Sequence, residues 1–530
     1  MKDALSDYKK HLLSCSNISR EFGLMSIQPN SSVSDDLELN IDGTKISIWA
    51  IYEVVLAIHF FPNSKPAKFR NLARLAKANI KNQYNSLRNT LLPNTNKDLQ
   101  DIDVNNVIFL GFSDYLAFEN FDLIFEKMEE DNKYEPLWID DKYFDNFKLS
   151  DKHINISEIS SKEIKTHASK IKYDIKRLIQ KLTKDIKSSH IDSKKSELLL
   201  SALSFMRPQM ETSIPLYISV AIYLLNKIKP SAIISIDVAD PCNRVFSLLA
   251  NKLHIPVIQI QAGPINQECI EWLFCYDDLM LSHGPHVKSE LVQLGFDSNK
   301  IVEVGSAKLE KSIISNQSEG NSLRNNFKIE KDNSVILFLT SYVDLFDTQH
   351  HLSGQRRIYN DTYQAVIDEV TKRKNLTLVI KPHPLEKPHQ LKAHKLIASK
   401  VKNIFVANPS DNTSEMISDS DVVISYGSTA TIDAIVFGKL VICPKFENFA
   451  LNTYFDESNA ILVPKNAKEL NDIFRVIDSG DISEAFDRCS EGRSIFLKDF
   501  SNLDTSASEA ILSNIYSTIE IFSSKREGYD

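Results

Sequence analysis

The stretch Leu-Thr-Leu-Val-Ile-Lys-Pro-His-Pro, residues 376–384, decides the fold. An apolar, partly β-branched run ends abruptly in a polar turn, which is typical of a buried strand followed by a loop. A second run, residues 421–425, ends in Tyr-Gly-Ser-Thr-Ala-Thr (426–431), and a helical segment then leads to a third run at 440–443. Strand, loop, helix and strand at this spacing predict a βαβ unit of a parallel sheet. Ligands of such sheets bind beyond the carboxyl ends of the strands, where both polar segments lie.

The same alternation occurs further upstream. The apolar run 232–236 ends at Asp237, Asp240 lies in the following loop, and a helical pattern occupies 243–253. The next run, 255–261, ends in Ala-Gly-Pro. A strand-end Asp and a strand-end Gly in adjacent units indicate the carboxyl edge of a second parallel sheet.

We therefore predict an α/β protein of two doubly wound, Rossmann-like domains that face each other across a cleft, with extra N-terminal α/β elements. A chain of 530 residues is too long for one core. The expected N-terminal domain takes residues 1–305 and the C-terminal domain takes 306–500. A helix within 501–530 is expected to pack back on the N-terminal domain. The polar stretch 312–326 predicts a surface linker.

Composition excludes several classes of protein. The chain is 42% hydrophobic and 25% charged, which is ordinary for a globular protein, and its net charge of −8 argues against a nucleic-acid binder. Its six cysteines form no Cys-x-x-Cys pair, so neither a disulfide framework nor a zinc site is expected. We find no secretory signal and no apolar run of the roughly 18–20 residues that span a bilayer. The predicted location is the cytoplasm.

Two basic segments have an open interpretation. Residues 62–97 contain no Asp or Glu and alternate cations with apolar residues. Such a segment suits peripheral contact with an anionic membrane at the inner face of the plasma membrane, binding of an anionic acceptor, or a solvated helix face. Residues 160–195 predict one long amphipathic helix, whose lysines are most simply a solvated face.

The polar segments around 381 and 428 indicate an anion site. The chain has no Walker loop and no G-x-G-x-x-G, and no Cys or His spacing indicates a metal. Prolines on both sides of His383 restrict the backbone and so aim the imidazole. Gly427 permits a sharp turn, and Ser428 lies where a new helix starts, which is either a plain N-cap or an anion site. Together the two segments match a diphosphate.

These residues resemble the C-terminal half of GT-B nucleotide-sugar enzymes. The closest resemblance is to bacterial surface-polysaccharide transferases, namely CDP-glycerol glycerophosphotransferases and capsule polysialyl- and Kdo-transferases. Nonhydrolysing UDP-N-acetylglucosamine 2-epimerases are similar in pattern. Upstream, Ile255-Pro256-Val257 with Gln261-Ala262-Gly263, and then Ser282-His283-Gly284, continue the resemblance. One departure is Ala262, which stands where those families often have His.

The resemblance implies roles for individual residues. His383 would contact the donor phosphate and assist the departing nucleotide. The implied nucleotide- and phosphate-binding residues are Lys381, Thr340, Ser341, Ser425, Gly427, Ser428, Thr429 and Asp433. A base that deprotonates the acceptor would come from Asp237, Asp240 or His283, and the implied acceptor-side residues are Gly263 and Glu268. No metal and no resident cofactor are implied.

The implied function is a metal-independent, inverting glycosyltransferase of the cell envelope. It would move a sugar or a polyol phosphate from a CMP-, CDP- or UDP-linked donor to a growing glycan or lipid-linked glycan, as in capsule or lipopolysaccharide synthesis. Two alternatives stay open: a nucleotide-sugar 2-epimerase, and a non-catalytic polysaccharide-assembly protein that keeps a degenerate nucleotide site.

Overall fold

The structure is a computed structural model. It describes residues 38–41, 43–48, 50–52, 105–112, 115–141, 152–159, 161–188, 193–263, 265, 272, 275, 277–293, 295–315, 322–340, 355–384, 386, 388–426, 429–446, 458–501 and 506–527. The chain forms two compact units. The N-terminal unit takes residues from 1–282, 288–304 and 508–530, and the C-terminal unit takes residues from 283–287 and 305–507.

Strands and helices alternate through most of the described chain. The strands are β1 Glu38–Ile41, β2 Thr44–Ser47, β3 Asn106–Leu110, β4 Glu135–Asp140, β5 His153–Asn155, β6 Ala232–Ser235, β7 Val257–Ile260, β8 Leu279–Ser282, β9 Ile301–Glu303, β10 Ser334–Leu339, β11 Leu376–Lys381, β12 Ile404–Val406, β13 Val422–Ile424 and β14 Leu440–Ile442. The α-helices are α1 Tyr115–Asp131, α2 Lys162–Ser188, α3 Ser193–Met210, α4 Ile214–Ile228, α5 Pro241–Lys252, α6 Pro285–Gln293, α7 Ala307–Ser315, α8 Ser322–Phe327, α9 Gln355–Thr371, α10 Pro388–Ala398, α11 Thr413–Asp419, α12 Thr429–Val436, α13 Ala467–Asp478, α14 Ile482–Asp487, α15 Ser490–Phe496 and α16 Ala507–Glu527.

Each unit contains one parallel sheet. In the N-terminal unit seven strands lie in the order β5-β4-β3-β6-β7-β8-β9, and in the C-terminal unit five lie in the order β12-β11-β10-β13-β14. The short antiparallel pair β1-β2 stands apart from both. Every residue of β3 and of β11 is buried, because the helices of such sheets cover both faces. This is why the strands are continuous apolar runs in the sequence.

Both sheets have a topological switch point. In the N-terminal unit the chain builds β3, β4 and β5 in one direction, then places β6 on the other side of β3 and continues to β9. In the C-terminal unit it builds β10, β11 and β12, then places β13 on the other side of β10. Open α/β sheets bind ligands outside the carboxyl ends of the strands at such a point. The two positions to inspect are therefore the ends of β3 and β6 and the ends of β10 and β13.

The helix α16 belongs to the N-terminal unit although it follows the C-terminal unit in sequence. Its Ile511, Leu512, Ile515 and Ile519 are buried. The Tyr516 ring lies 5.2 Å from the ring of Tyr134. Next to it, the Lys133 ammonium donates to Glu520 at 2.9 Å.

Several expectations need correction. The predicted linker 312–326 includes the end of α7 and all but the last residue of α8. The single helix predicted over 160–195 is wrong, because α2 ends at Ser188 and α3 begins at Ser193. The polar segments that follow β11 and β13 do not belong to consecutive strands, because α10, β12 and α11 lie between them. The basic segment 62–97, and the predicted site residues Ser341, Gly427, Ser428 and Glu268, lie outside the described residues.

In the described part of the chain, no helix combines the length and apolar character needed to cross a membrane.

Candidate functional site

Three predicted residues lie together at the ends of β10 and β11. The parallel register pairs Leu339 with Lys381, so Thr340 and the Pro-His-Pro turn (residues 382–384) follow at the same edge of the sheet. The Thr340 N–H donates to the Lys381 carbonyl at 3.1 Å. Its side-chain hydroxyl accepts a hydrogen bond from the His383 N–H at 3.0 Å. The structure therefore places Thr340, Lys381 and His383 in one cluster beside the switch point.

The buried carboxylate of Glu386, which was not predicted, holds this turn from the inside. It accepts a hydrogen bond from the Thr340 hydroxyl and lies 3.3 Å from the His383 nitrogen. The Glu386 N–H in turn donates to the His383 carbonyl at 2.9 Å. The backbone on either side of the imidazole is thus fixed by one side chain as well as by the prolines.

A second hydrogen-bonded pair supports Glu386. His394 of α10 places its Nε2 atom 2.9 Å from the second carboxylate oxygen, and its Nδ1 atom lies 2.7 Å from the Tyr363 hydroxyl of α9. Because a carboxylate only accepts, Nε2 carries the proton, and in the neutral ring Nδ1 accepts from the tyrosine. The Tyr363 ring stacks on Phe338 of β10, 5.2 Å between centroids. The network therefore joins two strands and two helices.

The electrostatics of the cluster follow from burial and these bonds. Burial by itself raises the pKa of Glu386, but the hydrogen bonds from His394 and Thr340 outweigh it and lower that pKa below its ordinary value. Burial lowers the pKa of His383, Glu386 acts in the opposite direction, and Lys381 lowers it further. His383 is therefore a neutral imidazole near pH 7, beside an ionised carboxylate.

Lys381 has contacts of a different kind from those expected. Its side chain is 3% exposed, and its ammonium donates to the carbonyls of Pro409 at 2.8 Å and Pro382 at 3.4 Å. Burial lowers the pKa of this ammonium. The lysine ties the loop after β12 to the Pro-His-Pro turn, and its charge lies beneath the edge of the sheet.

Ser425 and the helix α12 lie on the other side of β10. Strand β13 and strand β11 both pair with β10, so their ends are separated by two strand spacings of about 4.8 Å each. Ser425 is fully buried, and its hydroxyl lies 2.9 Å from that of Thr431, which is also buried. This pair anchors the first turn of α12, which starts at Thr429. Asp433 is buried within the same helix.

Asp237 and Asp240, two of the predicted bases, accept hydrogen bonds from backbone N–H groups close to them in sequence. Asp237 follows β6 and accepts from the N–H groups of Ala239 at 2.8 Å and Asp240 at 3.1 Å. Asp240 caps α5, because its carboxylate accepts from the N–H groups of Cys242 at 2.8 Å and Asn243 at 3.0 Å. Burial, with a contribution from Asp237, raises the pKa of Asp240 to about 7. Both carboxylates lie at the switch point of this sheet.

The remaining predicted residues, Gly263 and His283, follow β7 and β8, which lie one and two strands away from β6. His283 follows β8 and is 5% exposed. The Gly263 carbonyl, after β7, accepts from the Gln261 side-chain amide at 2.8 Å. Since β7 lies between β6 and β8, the structure does not place His283 on a strand next to that of Asp237 and Asp240. Within the described residues, no group of three or more His, Cys, Asp or Glu side chains is arranged to hold a metal ion.

Of three comparisons with known proteins, only the search of solved structures found similar proteins. A scan against protein-family models gave no match, and a search of curated proteins gave none either. Among solved structures, MnaA from S. aureus in complex with UDP is similar, with 13% identity and a TM-score of 0.51. A protein from Listeria monocytogenes, assigned as a candidate UDP-N-acetylglucosamine 2-epimerase, shares 13% identity with a TM-score of 0.53.

The fold is GT-B. Each likeness covers 78% of this chain and 97% of the other, so both parallel-sheet units take part. The expected pair of Rossmann-like α/β domains is confirmed. At 13% identity the likeness establishes the GT-B fold alone. It also leaves part of this chain without a counterpart in those structures.

Proposed function

We propose that this protein is an enzyme of nucleotide-sugar chemistry, whose donor diphosphate binds at the carboxyl edge of the C-terminal sheet. The observation that carries the proposal is the Pro-His-Pro turn, held by the buried Glu386 network beside the switch point. The side chains of Thr340 and Glu386, which flank β10 and α10, fix this turn. A loop that only connects two elements does not require such bonds. It presents a half-buried imidazole where α/β sheets bind ligands.

The charge of a diphosphate can be met there without a metal. The first N–H groups of α12 point out of its N-terminus at the end of β13, and the helix dipole favours an anion. The buried Lys381 ammonium adds a positive field from below. His383 is neutral in the free protein and would take up a proton as the anion binds, because an adjacent negative charge raises a pKa. A protonated His383 can then stabilise the nucleotide as it leaves.

Of the two catalytic hypotheses, epimerisation now has the stronger support. One of the two solved structures is assigned as a candidate UDP-N-acetylglucosamine 2-epimerase and the other holds UDP, which favours a UDP-linked substrate over CMP or CDP. Inverting a carbon centre requires a proton to leave one face and return to the other, so acid–base groups are needed. Asp237, Asp240 and His283 stay our candidates for this role. The raised pKa of Asp240, about 7, suits proton exchange near neutrality.

Transfer to an acceptor is the second candidate function. It is favoured by the part of this chain without counterpart in the similar structures, which are themselves covered almost completely. A transferase must hold a second substrate, and additional chain is one way to do so. The acceptor would be a glycan or a lipid-linked glycan, as the sequence motifs imply.

Incubation with UDP-N-acetylglucosamine alone, in D₂O, distinguishes the two reactions. An epimerase converts the substrate to its 2-epimer and incorporates deuterium at the inverted carbon, and both changes are visible by proton NMR. A transferase leaves the sugar unchanged until an acceptor is supplied. A protein that binds the nucleotide but catalyses neither reaction, even with glycan acceptors, would be the non-catalytic assembly protein.

Thermal unfolding tests the binding site itself. Ligand at a hundred times its dissociation constant should stabilise the folded state by about 2.7 kcal/mol. We expect UDP to raise the melting temperature of the wild-type protein, and His383→Ala to lose most of that shift. His389→Ala is the matched control, because His389 is exposed on α10 and should keep the full shift. A full shift in His383→Ala, or no response to any pyrimidine nucleotide, would refute the site.

A further inference from the structure

Helix α2 carries an unusual concentration of positive charge. Its 27 residues include eight lysines and one arginine, and all nine side chains are exposed. The acidic residues of the helix are Glu163, Asp174 and Asp185. The whole chain has a formal charge of −8, so the net charge of this helix is opposite in sign to that of the chain.

The charges are sorted around the helix axis. Six apolar residues, from Ile164 to Ile186, form the buried stripe that packs on the unit. At about 100° per residue, the nine cations fall within roughly half of the circumference, on the side away from that stripe. The three acids gather along one margin, next to the buried stripe. A helix that only needed solvation would tolerate acids anywhere on its outer face, and alternating charges would add favourable pairs.

An aromatic ring lies near the centre of the cationic face. The Tyr173 side chain is 62% exposed, and the Arg177 guanidinium carbon lies 5.8 Å from its ring centroid. Tyrosine is favoured where one end of a side chain is apolar and the other is wet, as at the headgroup region of a bilayer. The ring and the surrounding cations form one outward surface, which we call the α2 basic face.

We infer that the α2 basic face docks this protein on an anionic membrane surface. A straight helix of this length presents a strip about 40 Å long, and cations occur from Lys162 to Lys187, along all of it. A lipid headgroup layer is an extended anionic plane that can meet the whole strip at once. A DNA major groove curves around the duplex, so a straight strip of this length cannot stay in the groove along all of it. Membrane is therefore the occupant that the charge distribution favours.

The expected attachment is peripheral and electrostatic. The apolar stripe of α2 is already packed inside the unit, so it cannot insert among acyl chains as a free amphipathic helix would. Each cation that reaches the surface should multiply the partition coefficient roughly fivefold. Since exposed charges are screened over about 8 Å at physiological ionic strength, binding should fall steeply with added salt. The charge of this face is the same whichever reaction the enzyme catalyses.

Vesicle flotation with the full chain tests the inference. We expect binding to vesicles of phosphatidylcholine with about a quarter phosphatidylglycerol at low salt, loss of binding at high salt, and none to pure phosphatidylcholine. The triple variant Lys162→Glu, Lys176→Glu, Lys184→Glu should bind at least about tenfold less. The matched control reverses Lys331, Lys374 and Lys468, which are exposed in the C-terminal unit, and changes the net charge equally. It should keep more than half of the wild-type binding.

A further variant tests the α2 basic face without changing its charge. Tyr173→Ala leaves the charge unchanged and should reduce binding by a smaller factor, so it tests the surface even if the triple variant fails to fold, which circular dichroism would reveal. Equal binding to neutral and anionic vesicles would overturn the inference. So would equal losses in the two triple variants, or retention of a short DNA duplex without any binding to anionic vesicles.

Discussion

The carboxyl edges of the two parallel sheets have the same topology and opposite chemistry. The N-terminal edge carries the carboxylates of Asp140, Asp237 and Asp240. At the C-terminal edge, Lys381 and His383 lie beside the start of α12. On the proposed function, the first edge would repel a diphosphate and the second would hold it. On that proposal, the switch point determines where a ligand can bind, and the residues that follow the strands determine which ligand it is.

The two edges also differ in what holds their carboxylates. Asp237 and Asp240 accept from backbone N–H groups within six residues of the same loop, which is local capping. Glu386 accepts from the side chains of Thr340 and His394, which come from a different strand and a helix. The first arrangement shapes a loop, and the second fixes one imidazole relative to a sheet. Only the second is expected to fail as a whole when one residue is removed.

The largest effect is therefore expected for Glu386→Ala. It leaves His394, Thr340 and the His383 N–H without their shared acceptor, and should lower the free energy of unfolding by about 2–4 kcal/mol. Urea denaturation measures this directly. Glu484→Ala is the control, because Glu484 forms an exposed pair with Arg488 at 2.6 Å and should cost less than about 1 kcal/mol. Similar losses in both variants would show that the network is not special.

A smaller effect is expected on the pH dependence of donor binding. The pKa of His383 is lowered in the free protein, first by burial, and a bound diphosphate would raise it. Between those two pKa values binding takes up a proton, so affinity for UDP-N-acetylglucosamine should rise as the pH falls, by at most about tenfold per unit. The diphosphate of this substrate is a diester and does not itself titrate near neutrality.

Calorimetric titrations between about pH 8 and pH 5.5 would measure this slope. His383→Gln keeps a polar side chain of similar reach but cannot take up the proton, so its affinity should vary little across the range. A wild-type affinity that is flat over the whole range would remove His383 from contact with the phosphates. The N-terminal edge provides the contrast, because Asp240→Asn should leave this slope in place.

A further effect is expected for Asp240→Asn on the pH dependence of stability. The folded pKa of about 7 lies above the ordinary value of 3.8, so the wild-type protein loses stability as the pH rises from about 4 to 7. Asparagine caps a helix nearly as well as aspartate but does not ionise. The variant should therefore match the wild type near pH 4 and be the more stable of the two proteins at pH 8. Melting curves at the two pH values test this, and an unchanged difference would contradict the raised pKa.

The sequence predicted the strands whose residues are mostly apolar and form one continuous run. Runs such as 376–380 and 232–236 must be buried on both faces, and this leaves a continuous signal. By contrast, β12 has three residues, too few for any periodicity, and β4 contains Pro136 and an ionisable residue at each end. Those strands are stabilised by pairing with neighbouring strands. Local sequence patterns do not record such long-range contacts.

The candidate site was predictable to a similar extent. The two prolines identified the turn around His383 because they act on the local backbone. Glu386 had no comparable signal, because an acidic residue shortly before a helix such as α10 suggests an ordinary cap. Ser425 shows the converse difficulty: a hydroxyl that binds a ligand and one that anchors its own helix through Thr431 require the same residue type. Only the structure distinguishes a hydroxyl that binds a ligand from one that anchors its own helix.

The placement of α16 has a consequence for biosynthesis. The C-terminal unit is formed almost wholly from one continuous segment, residues 305–507, and can complete its core as soon as that segment has left the ribosome. The N-terminal unit, although synthesised first, lacks Ile511, Ile515 and Ile519 until the helix emerges. The order of maturation is thus the reverse of the order of translation, and the earlier-made unit has to wait with part of its apolar surface open to chaperones.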